Sequence, residues 1–163
     1  MEAEIGNDGL WRMGRTRLRG AVGRGGVRPD KREGDGATPS GLLPLRRVLY
    51  RADRVPRPKT ALPVAPLAPE DGWCDDPASP VYNRLVRLPH PDRHEVLWRA
   101  DALYDVIAVL GWNDDPVQPH RGSAIFLHRA SPDLAPTDGC IALPLPELLA
   151  ALAAGLSAIR VLG

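Results

Sequence analysis

The chain is poor in cysteine and in aromatic residues, and it has no long hydrophobic run. Its 163 residues include two cysteines, one phenylalanine and only 5% aromatic residues. Two cysteines do not make a disulfide scaffold, so the fold must depend on a hydrophobic core of its own. No stretch approaches the roughly 20 apolar residues that a transmembrane helix requires, and no membrane span is expected.

The sequence also shows no secretory signal, which would join a basic start to an apolar run of about 7 to 15 residues. Charges and glycines interrupt the first thirty residues throughout. The chain is therefore cytoplasmic, is exported by a route that its sequence does not display, or has its signal elsewhere. Residues 2–22 have the pattern of strands that belong to the domain, which argues against a signal that was trimmed.

The small net charge of +1 conceals an asymmetry between the two parts of the chain. Residues 1–60 contain 14 Lys and Arg against 7 Asp and Glu, whereas the remaining residues are net acidic. The arginines are spread out, with few aromatic residues between them. This pattern is typical of exposed strand faces and not of a nucleic-acid site, so no nucleic-acid partner is expected.

Proline and glycine are abundant, with 18 and 16 residues respectively. Such a composition favours many turns and predicts a mainly β fold with one or two short helices. A single core is usual in chains of up to about 200 residues, so residues 1–163 are expected to form one domain. We expect this domain to be a monomer.

Several segments have the patterns of strands. Asn7-Asp8-Gly9 has the composition of a tight hairpin turn between strands at Glu2 to Ile5 and Leu10 to Met13, and the alternation continues to residue 22. Further strands are predicted over residues 46–52, 104–110, 123–127 and 158–162.

Two segments have helical signals. A helix is predicted with Pro146 at its first position and Gly155 at its end. Asp92 and Glu95 have the spacing of a capping box, which predicts a helical turn near residues 90–98.

Two other segments are rich in glycine and proline. Residues 23–45 mix rigid proline with glycine and closely spaced charges, which favours either an ordered loop beside a site or a flexible linker. Residues 53–73 are proline-rich and lack a helical period, so they are predicted to be an extended excursion packed over the sheet.

The segment APTDGCIA, residues 135–142, places one of the two cysteines directly after an Asp-Gly turn. A cysteine nucleophile requires a thiolate, a base that forms it, and donors for the oxyanion. Gly139 permits a sharp turn that exposes the sulfur, and the N–H groups of Gly139 and Cys140 can point at an oxyanion. His128 ends a predicted strand, and the loop after it returns towards Cys140. Residues 123–143 therefore predict a Cys-His pair.

Other interpretations of these residues remain open. Cys140 can be a small buried hydrophobic residue, with His128 a hydrogen-bonded strand terminus. The histidines and cysteines lack paired metal-ligand spacing, and no metal is expected. The sequence has no Gly-x-Ser-x-Gly elbow, which weakens the case for a serine hydrolase.

Three segments together resemble a known family. SAIFLH at residues 123–128, followed by PTDGCIAL at 136–143, is similar to the His…(Ser/Thr)-x-Gly-Cys signature of the YkuD-like L,D-transpeptidase catalytic domain. Thr38, Pro39 and Gly41 resemble the Thr-Pro-x-Gly strand-turn that precedes the core in that family. The resemblance runs from about residue 14 to the end of the chain.

The resemblance implies a β-sandwich-like domain that acts on peptidoglycan stem peptides without a cofactor. By analogy, Cys140 would form a thioester with a donor stem peptide, which the amine of an acceptor diaminopimelate would resolve. His128 would be the base, Gly139 and Cys140 would supply oxyanion N–H groups, and Thr137 would brace the turn. A covalent adduct with carbapenems is also expected. Asp138 stands where relatives usually have histidine, so its role is open between orienting His128 and holding an acceptor ammonium.

The short motif resembles a proteobacterial branch that also has GWCDDP and HEVLW, found here at residues 72–77 and 94–98. That branch implies a link from L-Ala to diaminopimelate, called a 1,3 cross-link. Arg84, Asn83 and Tyr104 are candidate substrate-binding residues, although such polar residues are more often solvated or capping. For Cys74, packing is favoured over a disulfide with Cys140 or a second active-site thiol.

Two alternative functions keep the same residues. With water as acceptor, the site would be an L,D-carboxypeptidase or endopeptidase on muropeptides. If Asp138 and Ala142 indicate that the site has lost its catalytic activity, the domain would bind the cell wall without catalysis. The peptidoglycan substrate implies the periplasm or cell envelope, in contrast to the missing signal.

Overall fold

The structure is a computed structural model that describes residues 1–163. In chain order its strands are β1 Glu2–Gly6, β2 Leu10–Met13, β3 Thr16–Arg19, β4 Val27–Arg28, β5 Thr38–Pro39, β6 Gly41–Tyr50, β7 Val64–Pro66, β8 Asp71–Cys74, β9 Leu85–Arg87, β10 His94–Val96, β11 Val106–Leu110, β12 Phe126–Arg129, β13 Ile141–Leu143 and β14 Ala158–Leu162. The helix α1 spans Leu145–Ala153. The fold is mainly β with one short helix, as the composition predicts.

Nine strands form one mixed sheet in the order β13-β12-β11-β6-β14-β1-β2-β3, with β7 also paired to β6. The long strand β6 joins the two parts of this sheet, since its first residues pair with β14 and its last residues pair with β11. A three-stranded sheet in the order β10-β8-β9 and the short pair β4-β5 complete the strands. The sheet thereby places β6 next to β11, and β13 next to β12, although these strands are separated in the chain.

Strand β11 is buried on both faces, which explains its continuous apolar sequence. Val106, Ala108 and Leu110 point into the larger hydrophobic core, while Ile107 and Val109 point into the smaller one. Helix α1 covers the larger core with its apolar stripe, whose buried members are Leu148, Ala151 and Leu152. The smaller core includes Cys140, so the candidate nucleophile lies on the face opposite the helix.

The N-terminal hairpin and the C-terminal elements confirm the sequence predictions. Strands β1 and β2 pair antiparallel around the turn at Asn7 to Gly9, where Gly9 has a φ of 76°. Pro146 lies in the first turn of α1, and Gly155 follows the helix with a φ of 91°. Strand β14 then pairs in parallel with β1, and β2 pairs with both β1 and β3, so residues 2–19 are an integral part of the sheet.

The helical turn predicted near residues 90–98 is wrong. His94–Val96 is instead strand β10, and its residues pair with β8. Asp92 accepts a hydrogen bond from the Ser79 hydroxyl, and the Glu95 carboxylate accepts one from Tyr104. Both members of the predicted capping box are therefore bonded to residues distant in the sequence, and strand pairing prevails over the local signal.

The predicted strand at residues 123–127 is displaced by three residues. Ala124 has a φ of 53°, which is incompatible with extended backbone, and β12 begins only at Phe126. His128 consequently lies inside the strand and not after its end. The glycine-rich segment 23–45 is ordered: Lys31 is buried and its ammonium group lies 2.6 Å from an Asp35 carboxylate oxygen.

Within the proline-rich residues 53–73, Val64–Pro66 forms β7, which pairs in parallel with β6. This part of the segment therefore joins the sheet by strand pairing, whereas the sequence predicts that it packs over the sheet. Both cysteines are buried and free of a disulfide. None of the helical structure is sufficiently long and apolar for a bilayer crossing.

Candidate active site

Strands β12 and β13 place the candidate nucleophile and base on one face of the sheet. They pair in parallel, with Leu127 opposite Ile141 and His128 opposite Ala142. Cys140 comes directly before β13 and therefore lies beside Phe126, two residues from His128 along the neighbouring strand. Since side chains two residues apart share a face, Cys140 and His128 both point away from the larger core.

This face opens into a cleft of about 580 Å³. The cleft brings together five of the sequence-predicted site residues, namely Tyr104, His128, Thr137, Asp138 and Cys140. Its remaining walls come largely from the glycine-rich loop and from β10 with the loop after it. Residues of the loop that line the cleft are Arg24, Glu33, Gly34 and Gly36. This segment is therefore an ordered loop beside the site.

The Cys140 thiol is held by backbone groups at the bottom of the cleft. Its Sγ donates to the carbonyl oxygen of Ala124 at 3.2 Å and accepts from the Phe126 N–H at 3.4 Å. Burial, followed by the negative charge of Glu95, raises the pKa of Cys140 to about 12. Cys140 is thus a neutral thiol at physiological pH, so it could act as a nucleophile only if its proton were removed when substrate is bound.

His128 is held in the tautomer that a base requires. Its Nδ1 lies 2.7 Å from the carbonyl oxygen of Arg129. A carbonyl oxygen only accepts, so Nδ1 carries the proton and Nε2 presents a lone pair. Burial lowers the pKa of His128, which keeps the ring neutral near pH 7. No direct hydrogen bond joins His128 to Cys140, whose Sγ is bonded to backbone groups.

The turn before Cys140 is held by Thr137. Its hydroxyl donates to the carbonyl oxygen of Cys140 at 2.6 Å and accepts from the Gly139 N–H at 3.1 Å. Because the Gly139 N–H is occupied by this bond, it is not free for an oxyanion as the sequence interpretation expects. The Cys140 N–H has no acceptor within the chain, so it is the N–H of this turn that remains free for an oxyanion.

Gly139 is required by the backbone at this turn. Its φ is 134°, and a Cβ built there would lie 2.9 Å from the carbonyl oxygen of Ala37. We expect Gly139→Ala to lower the free energy of unfolding by about 1 to 3 kcal/mol and to displace Cys140, with a loss of activity. Chemical denaturation and an activity assay would measure both effects.

Gly14→Ala is the matched control, because Gly14 also has a positive φ but no heavy atom lies within 4 Å of its Cβ position. Gly14 does not line the cleft. Gly14→Ala should therefore lower stability without changing activity. A Gly139→Ala variant with wild-type stability and activity would contradict the assigned strain.

Asp138 lies at the rim of the cleft and not beside the imidazole. Its carboxylate pairs with Arg24 at 3.0 Å, and its side chain is 91% exposed. The group that orients His128 is the Arg129 carbonyl, so the structure does not place Asp138 in that role. An exposed ion pair of this kind adds little stability, but it joins the glycine-rich loop to the turn before Cys140.

Asn83 and Arg84 are not among the residues that line the cleft. Asn83 is buried, accepts a hydrogen bond from the Trp73 indole and donates to the carbonyl oxygens of Trp112 and Asn113. Arg84 donates to the carbonyl oxygen of Asp114. These bonds give both residues structural partners and do not support the substrate-binding role considered from the sequence.

The comparison with protein families bears directly on this geometry. The family model described as YkuD, L,D-transpeptidase catalytic domain, matches residues 8–156. The chain belongs to this family. Comparison with curated proteins finds no significant match, and neither does comparison with solved structures. The matched range covers Cys140, His128 and the strands that carry them, so the cleft lies within the L,D-transpeptidase catalytic domain.

The L,D-transpeptidase cleft contains charged residues that sequence reasoning does not identify as functional. Glu95 and Arg99 line one wall, and the Arg99 guanidinium lies 5.1 Å from the centre of the Tyr104 ring. The sequence signals for this wall are the HEVLW motif, which resembles a proteobacterial branch, and the spacing of Asp92 and Glu95, which predicts a helical turn. Strand pairing, which the motif does not reveal, brings these side chains to the cleft.

A second charged group lies on the wall formed by the glycine-rich loop. The Glu33 carboxylate accepts hydrogen bonds from the Tyr82 and Ser123 hydroxyls, both at 2.6 Å. Burial, followed by the bond to Glu33, raises the pKa of Tyr82 well above its usual range. These bonds hold the Glu33 carboxylate in place on this wall of the L,D-transpeptidase cleft.

Proposed function

We propose that this protein is a peptidoglycan L,D-transpeptidase that transfers an acyl group through a thioester on Cys140. The observation that carries the proposal is the placement of Cys140 and of the neutral His128 on one sheet face within one cleft. The unpartnered N–H of Cys140 and the family membership support it. Residues 1–163 act in this proposal as one catalytic domain and as a monomer.

The first half-reaction takes an acyl group from a donor stem peptide. Nε2 of His128 accepts the Cys140 proton as Sγ attacks the scissile carbonyl carbon, and the Cys140 N–H stabilises the oxyanion. The C–N bond then breaks, and the imidazolium gives its proton to the departing amine. A thioester on Cys140 remains, and the first product leaves.

The second half-reaction transfers the acyl group to the amine of an acceptor diaminopimelate. The amine nitrogen attacks the thioester carbon, the C–S bond breaks, and the cysteine is restored. The short Thr-Asp-Gly-Cys turn supports the finer proposal that the donor acyl group comes from L-Ala, which gives a 1,3 cross-link. A carbapenem would acylate Cys140 in the same way.

The substrate implies that the protein acts in the cell envelope or periplasm. Fractionation of cells that contain the native protein, with detection by antibody, tests this part of the proposal. Recovery of active protein exclusively from the cytoplasm would contradict it.

Product mass tests the function directly. The protein is incubated with purified muropeptides, and the products are separated and measured by mass spectrometry. A dimer whose fragments join L-Ala to diaminopimelate is the expected product. A trimmed monomer would instead indicate a carboxypeptidase or endopeptidase that uses water as acceptor.

A non-catalytic wall-binding domain is the second candidate, and the raised pKa of Cys140 is the observation that favours it. A neutral thiol reacts slowly unless substrate binding activates it. Absence of both product types and of a carbapenem adduct, with muropeptide binding retained, would support this candidate and contradict the proposed enzyme.

A further inference from the structure

Glu95 and Tyr104 form a hydrogen-bonded pair on the cleft wall close to Cys140. The Tyr104 hydroxyl donates to Oε1 of Glu95. The Tyr104 ring packs edge-on against both His128, at 5.3 Å between ring centres, and Phe126, at 5.8 Å. The pair is therefore held against the same strand, β12, that carries the catalytic base.

Strand pairing directs Glu95 towards the nucleophile. In the register of β10 with β8, Glu95 lies opposite Trp73, and residues directly opposite each other share a face. The Trp73 ring packs edge-on against Phe126 at 5.1 Å, and the backbone N–H of Phe126 contacts the sulfur of Cys140. Glu95 consequently lines the cleft with one carboxylate oxygen bonded to Tyr104 and with Oε2 free of partners in the chain.

This carboxylate opposes the first half-reaction. Its negative charge raises the pKa of Cys140 and so disfavours the thiolate. In the second half-reaction Glu95 no longer opposes the chemistry in this way, because the sulfur of a thioester carries no charge that the carboxylate could repel. The incoming acceptor amine is then an ammonium ion at neutral pH, which must lose a proton before it can attack.

We propose that Glu95 binds the acceptor ammonium through Oε2 and accepts its first proton, while Tyr104 holds the carboxylate in position. This inference rests on the proposed transpeptidase function and assigns to Glu95 a role in the second half-reaction alone. Burial raises the pKa of Glu95, which makes the carboxylate a stronger base than an exposed one.

The proton and electron balance of this step is complete. One N–H bond of the ammonium breaks and its proton passes to Oε2 of Glu95, which leaves a lone pair on nitrogen. That lone pair forms the C–N bond, and the electrons of the C–S bond pass to Sγ of Cys140. The second amine proton passes through Nε2 of His128 to Sγ, and Glu95 releases its proton to water in the cleft.

The test separates the two half-reactions of Glu95→Gln. Incubation with donor alone, followed by intact-protein mass spectrometry, measures thioester formation. Addition of acceptor then measures transfer. We expect thioester formation at or above the wild-type rate, because a like charge near Cys140 is removed, and transfer slowed by about 100-fold.

Two controls isolate the role in amine activation. Hydroxylamine is uncharged at neutral pH and should cleave the thioester equally fast in wild type and Glu95→Gln. Asp114→Asn alters a carboxylate that does not line the cleft and that pairs with Arg46 at 2.8 Å, and it should leave both half-reactions near wild-type rates.

A higher pH supplies neutral acceptor amine and should partly rescue transfer by Glu95→Gln. The titratable and charged groups around Glu95 include Asp75, Arg99, Tyr104, Asp138 and Cys140, and His94 and His128 line the same cleft. All of them are the same in wild type and variant. The ratio of the wild-type and Glu95→Gln pH profiles therefore isolates the contribution of the Glu95 carboxylate to transfer.

If Glu95→Gln does not fold, Tyr104→Phe serves as the second variant. Loss of the hydroxyl should slow transfer about fivefold to tenfold through a less ordered carboxylate. Unchanged transfer in a folded variant, or equal slowing of both half-reactions, would overturn the inference. A wild-type protein that forms no thioester would instead overturn the proposed function.

Discussion

Replacement of Cys140 by alanine is expected to abolish thioester formation and cross-linking while the fold remains. No other nucleophile in the cleft occupies the position of Sγ beside the free Cys140 N–H, and removal of a catalytic nucleophile lowers rates by about 10⁴-fold or more. Alanine keeps the backbone of the turn and removes only the sulfur with its two backbone hydrogen bonds. Intact-protein mass spectrometry with donor, followed by analysis of the muropeptide products, would measure both losses.

Cys74→Ala is the matched control for this variant. Cys74 is also free and buried, but it does not line the cleft. Both substitutions should lower the free energy of unfolding by about 1 kcal/mol, since each removes a buried sulfur. Only Cys140→Ala should lose activity. Cross-linking by Cys140→Ala, or inactivity of a folded Cys74→Ala, would contradict the assignment of Cys140 as the nucleophile.

The parts of the fold that local chemistry determines could be predicted from the sequence. Asn7-Asp8-Gly9 tolerates the positive φ of a tight turn, and β1 and β2 follow from it. Pro146 and Gly155 similarly mark the limits of α1. The capping-box signal at Asp92 and Glu95 fails because their side chains have partners supplied by distant segments.

The candidate site likewise has one part that local sequence predicts and another part that depends on strand pairing. Cys140, Thr137 and His128 lie close together in the sequence, so their motif and the parallel pairing of β12 with β13 suffice to bring them into one cleft. Glu95 reaches the cleft through the register of β10 with β8. No short-range pattern reveals that register, so the role proposed for Glu95 rests on the structure and on the proposed function. Asn83 shows the converse, because the sequence does not reveal that its amide is engaged in hydrogen bonds to Trp73, Trp112 and Asn113.

Replacement of His128 by glutamine should slow thioester formation by about 10²- to 10⁴-fold, because the Cys140 proton loses its acceptor. A thiol whose pKa is raised to about 12 depends strongly on such a base.

The pH profile of the wild type provides a second measurement. Burial lowers the pKa of His128, and Arg99 reinforces this effect, so the ring stays neutral below the usual pKa of histidine. Thioester formation should therefore persist as pH falls to 6.5 and be lost only at a lower value.

The lowered pKa of His128 also predicts how the free energy of unfolding responds to acid. Because the folded state holds His128 neutral, the unfolded state binds more protons below pH 6.5, and the free energy of unfolding falls as pH falls. His128→Gln should weaken this dependence. His94→Gln is the matched control, since His94 also lines the cleft and bonds through Nδ1 to a backbone carbonyl, that of Asp92 at 2.8 Å. If His94→Gln lost thioester formation and His128→Gln kept it, the base would be His94, and the shared sheet face of Cys140 and His128 would have only a structural role.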